Sequence, residues 1–135
     1  MNNERQPHIN RASEALFELN DAADRLDTAA QAAIAADTAM RDAKTEMDNI
    51  DSILMLAAVR DAILDGKNAE IRDAQFRFYR NGDAAWQDAV TARHDATVNA
   101  ARARQVADSA AARFDCAKAA VQLHVAILGL LGRAL

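Results

Sequence analysis

The sequence predicts an all-α protein: two long antiparallel helices with alanine-rich heptad seams, joined by a short connector helix and assembling into a multi-chain helical bundle. Three observations predict it. Apolar residues recur at alternating steps of four and three through two long stretches, the signature of a helix that keeps one face against a partner helix. Alanine, the strongest helix former, supplies 34 of the 135 residues. The single proline, Pro7, and the four glycines, Gly66, Gly82, Gly129 and Gly132, all lie outside residues 11–65, so nothing breaks the first stretch.

The chain in order reads as follows. Residues 1–10 are polar and are expected to form a disordered tail, without the apolar segment of a secretory signal. The single helical-bundle domain then covers 11–135. Its first helix is expected over 11–65, capped by Asn10 or Ser13 and closed by Gly66 in the left-handed conformation. Counting from Ala15 to Leu64 along its seam meets fourteen apolar residues in fifteen, Asp61 being the exception. Asn68 is placed to cap a short helix over 68–80, and Asp83 to cap a last helix over 84–131. The second seam runs from Trp86 to Leu135 with thirteen apolar positions in fifteen, interrupted by Arg93 and His124.

Two fold-back points compete. A hairpin turning at residues 66–68 puts Leu19 near Phe114 and leaves residues 121–131 uncovered. A pairing centred near residue 74 instead sets Leu16, Phe17 and Leu19 against Leu128 and Leu131, and buries that apolar end. Burial favours the second. It also predicts an ion pair between the two charged seam residues, Asp61 and Arg93, because an unpaired charge in a seam is costly.

Alanine buries little area, so the core should be thin and the molecule elongated. Further apolar residues lie off the seams: Ile53, Leu56, Val59 and Ile63 on the first helix, and Val90, Val98, Val106, Leu123, Ile127 and Leu130 on the last. Of these, Ile53, Leu56, Val59, Ile63, Leu123, Ile127 and Leu130 are the candidate oligomer interface, with two hairpins closing into a bundle. Residues 11–65 carry five basic and twelve acidic side chains, while 66–135 carry ten and seven. That asymmetry favours pairing of the two halves over a nucleic-acid partner.

Chemistry is sparse. His8, His94 and His124 lack the Glu-x-x-His spacing of bundle metal sites, so no metal or cofactor is expected. Cys116 is the only cysteine, which fits a reducing compartment and offers no disulfide. It stands beside Asp115 on an alanine-rich helix and reads as packing, not as a nucleophile. Gly66-Lys67 lacks the earlier glycine of a phosphate-binding loop. Residues 121–131, the longest apolar run, are too short and too polar to span a bilayer. The densest local chemistry is a tip of basic and aromatic residues, Lys67, Arg72, Phe76, Arg77, Phe78, Tyr79, Arg80 and Trp86. Such interleaving can grip single-stranded nucleic acid, or can simply pack the connector onto the bundle end. A track of Asp21, Asp24, Asp27, Asp42, Glu46 and Asp48 could mimic a phosphate backbone, or could simply be a solvated face.

The run Asp65-Gly66-Lys67-Asn68-Ala69-Glu70-Ile71-Arg72-Asp73-Ala74, the Asp83-to-Trp86 restart and the long final helix ending in Leu128, Leu130 and Leu131 resemble small helical-hairpin proteins encoded in phage and prophage genomes. The resemblance covers about half the chain. It implies a phage-type origin and no assigned activity. The expected function is therefore non-enzymatic: a cytoplasmic interaction or scaffold protein that binds itself as a dimer and binds a further protein partner, not a membrane. The alternatives are a nucleic-acid-binding module using the tip, or an acidic-helix inhibitor of a host DNA-acting protein.

Overall fold

Both seams become the less exposed faces of long helices. The computed structural model describes residues 2–133 and consists of α1 (Asn2–Arg60), α2 (Ala69–Asn81) and α3 (Ala84–Arg133), with no strand among the described residues. From Ala15 to Leu64 every seam position except Asp61 is buried or half-buried; from Trp86 to Leu131 every one except Arg93 is. Leu135, the last position of the second seam, lies outside the described residues. The chain divides into two compact units, one of Met1–Ala33 with Arg102–Leu135 and one of Ile34–Ala101.

In the unit of Ile34–Ala101, Leu54 and Ala58 of α1, Phe76 of α2 and Trp86 of α3 form the core. Met47, Ile50, Ile63, Leu64 and Tyr79 pack around it. Each large side chain buried there contributes roughly 1.5–3 kcal/mol. Asn68 caps α2, its side-chain oxygen accepting from the Ile71 N–H at 2.9 Å. Asp83 caps α3 by accepting from the Trp86 N–H at 2.9 Å. Both caps stand where the sequence puts them.

The end of α1 does not. The helix stops at Arg60, five residues short of the expected 65. Ala62, with φ of 54°, takes the left-handed conformation. Ile63 N–H donates to the Ala58 carbonyl at 3.0 Å and Ala62 N–H to the Val59 carbonyl at 3.2 Å, the paired bonds of a Schellman closure. The closure brings Ile63, half-buried, against the core, which offsets the cost of an alanine in this conformation. Gly66 has no positive φ and serves a different purpose. A Cβ there would collide with the Ile71 side chain and lie 3.0 Å from Gln75 Oε1. Gly66 N–H donates to that same Oε1 at 3.0 Å, and the Gly66 carbonyl accepts from Arg72 Nη1 at 3.1 Å.

The fold-back point also differs from the expected centre near residue 74. Here Arg93 Nη1 reaches Met47 Sδ at 3.7 Å, a pair centred on residue 70. The predicted Asp61–Arg93 ion pair does not form. Asp61 accepts instead from its neighbour Arg60, at 3.0 Å, and both are exposed. That hydrogen bond holds the Asp61 carboxyl below the usual carboxylate range. The register follows from packing: Trp86 must meet Leu54 and Ala58 once α1 has ended at Arg60.

In the unit of Met1–Ala33 and Arg102–Leu135, α1 and α3 lie side by side, and Arg5 Nη2 donates to the Leu131 carbonyl at 3.5 Å, a pair centred on residue 68. The expected contact of Leu16, Phe17 and Leu19 with Leu128 and Leu131 is therefore absent, and Leu16 and Phe17 are exposed. Residues 2–10, expected outside the helix, are its first turns, with Pro7 inside. Pro7 is the sixth helical residue, so its missing N–H removes one helix bond, and the Arg5 contact with the end of α3 supports those turns.

Candidate interaction surfaces

The tip residues separate into two groups. Phe76 and Trp86 are buried, and Tyr79 packs on the same core. Arg80 joins all three helices: its Nη1 meets Asp51 Oδ1 at 2.6 Å, and its guanidinium carbon stands 4.2 Å from the Trp86 ring centre and 5.3 Å from that of Phe76. Arg72 is held by the Gly66 carbonyl. Lys67, Arg77 and Phe78 remain exposed, Phe78 at 85%. Phe78 and Tyr79 border a cleft of about 540 Å³ with Ile63, Gln75, Gly82 and Asp83. As a stacking surface the tip thus offers one freely exposed ring.

The candidate oligomer residues also separate. Ile63 is spent on the core of its own unit. Ile53, Leu56 and Val59 are 62–72% exposed on α1. Leu123 and Leu130 on α3 are 59% and 65% exposed, and Ile127 is half-buried. By length and composition alone α3 is long and apolar enough to cross a bilayer, and its apolar stretch is not buried within the chain. The 121–131 run alone understated this helix, because the alanines around it extend the apolar stretch.

A groove of about 1060 Å³ lies wholly within the unit of Met1–Ala33 and Arg102–Leu135. Its α1 wall carries Glu18, Asp21, Arg25 and Thr28, and its α3 wall Val106, Ser109, Arg113 and Cys116. Alanines make the floor, among them Ala22, Ala29, Ala110 and Ala117. These eight residues each stand one position before a seam residue, so this edge of the groove is the flank of the seam on both helices. The same 3-4 step continues along α3 to Leu123, Ile127 and Leu130. Arg113 and Cys116 were missed as surface candidates in the sequence, although this offset spacing contains them.

Asp21 is paired with Arg25 at 2.9 Å. Asp27 accepts from Gln31 Nε2 at 3.2 Å. The side chains of Glu18, Asp24 and Arg113, all bordering the groove, make no ion pair or hydrogen bond among the described residues. Cys116 is exposed. His124 is half-buried in the seam, and its Nδ1 is buried without a partner, as is that of His8. No three His, Cys, Asp or Glu side chains gather as metal ligands among the described residues. Comparison with family models, with curated proteins and with solved structures finds no match for this chain.

Proposed function

We propose that this chain is a non-enzymatic interaction or scaffold protein of the phage helical-hairpin type, acting as a homo-oligomeric helical bundle in the cytoplasm. One observation carries the reading. Among the described residues the buried apolar side chains are Ala15, Ala29, Leu54, Ala58, Phe76, Trp86, Ala89 and Ala100, five of the eight being alanine. Fifteen larger apolar side chains, including Leu56, Val106, Leu123 and Leu130, are exposed. A protein that leaves more large apolar groups in water than it buries gains stability by covering them with another chain. The exposed groups on α1 and α3 recur at helical spacing, which suits a helix as the covering element.

Light scattering tests this. The expected mass at micromolar concentration is at least twice 14.6 kDa, and Ile127→Asp lowers it. A mass of one chain at high micromolar concentration rules the reading out. Nucleic-acid binding at the tip is the weaker reading, because Phe76, Trp86 and Arg80 are occupied within the unit and only Phe78, with Lys67 and Arg77, is left to stack and attract.

A further inference from the structure

We propose that the groove of the unit formed by Met1–Ala33 and Arg102–Leu135 is the self-association face of this chain, filled by the α3 face of a second copy. The proposal rests on the homo-oligomer reading and adds the face and the pairing. The alanine floor lets a third helix come close, toward the near end of helix packing distances. The stripe that would enter is present on every copy: Val106, 61% exposed, leads through Cys116 to Leu123 and Leu130, 59% and 65% exposed.

Charge identifies the occupant. Arg25 is answered by Asp21 within the chain, which leaves Glu18 and Asp24 unanswered on the α1 wall and Arg113 unanswered on the α3 wall. A two-fold partner that lays its α3 against the α1 wall brings its Arg113 to Glu18 and Asp24, and symmetry makes the contact twice. Each acidic helix then has a more basic helix on two sides. An anionic lipid surface fits less well, because the same groove would press Glu18, Asp21 and Asp24 toward negative headgroups.

A charge-swap pair tests the proposal. Arg113→Glu in one chain, and Glu18→Arg with Asp24→Arg in another, should each give a monomer by light scattering with helix content kept in circular dichroism. Mixed in equal amounts, the two should recover the mass of a dimer containing one of each. On the unmodified protein, Cys116 should react with a maleimide at least about tenfold more slowly in the associated form than at a dilution where a single chain prevails, as nine-tenths occupancy requires. A mixture that stays monomeric overturns the proposal, as does Cys116 reacting equally fast in both forms. If the unmodified chain associates while Cys116 stays reactive, the homo-oligomer stands and this face is wrong. If it stays monomeric yet floats with phosphatidylcholine–phosphatidylglycerol vesicles, both the homo-oligomer and this face fail.

Discussion

Ala62 and Gly66 stand four residues apart and have exchanged the roles their side chains suggest. The left-handed closure of α1 falls on Ala62, where a Cβ is strained, while Gly66 keeps an ordinary φ and is needed for space against Ile71. A β-carbon in the left-handed region costs about 1–2 kcal/mol. Ala62→Gly removes that strain but frees the unfolded chain, so the net expected gain is about 0.5–1 kcal/mol. Urea denaturation checks it: the midpoint should rise with an unchanged slope. A fall in the midpoint would mean that the Schellman bonds at Val59 and Ala58 do not close the helix here. The local sequence hid this because Gly66 is the better closer on conformational grounds, whereas the earlier closure brings Ile63 against the core, a tertiary contact.

At the scale of elements, the two seams were legible and the tip was not. Period alone fixes which face of α1 and α3 turns inward, so positions from Ala15 to Leu64 could be counted off the chain. Asn68 and Asp83 were legible for a similar reason, since a cap acts within three residues. The mix of Phe76, Arg80 and Trp86 has the same composition whether it grips a ligand or locks a connector, and register decides between them. That register could not be read, because it depends on where α1 stops. Arg80 shows the outcome: one guanidinium pairs with α1 through Asp51 and lies over Trp86 of α3, fastening α2 to both. Arg80→Lys keeps the charge and loses the planar stacking, at an expected cost of about 1 kcal/mol. Equal stability of the two forms by thermal melting would show that charge alone holds α2 in place.

At the scale of the whole molecule, apolar surface is distributed in a way that favours company. Phe17, Ile34, Leu56 and Leu130 are each at least 65% exposed, whereas the large side chains buried among the described residues are Leu54, Phe76 and Trp86. The sequence showed the thin core through its alanine count and showed part of the second stripe through Leu123, Ile127 and Leu130. It did not show that Ile63 would turn inward or that Arg113 and Cys116 share a wall, since both depend on helix pairing. A chain whose core is completed by another copy must melt later as it is concentrated, because association stabilises only the folded form. The direct measurement is the melting temperature by circular dichroism from low to high micromolar protein. A midpoint that climbs steadily with concentration is the predicted result; a midpoint that stays fixed across that range would contradict the account.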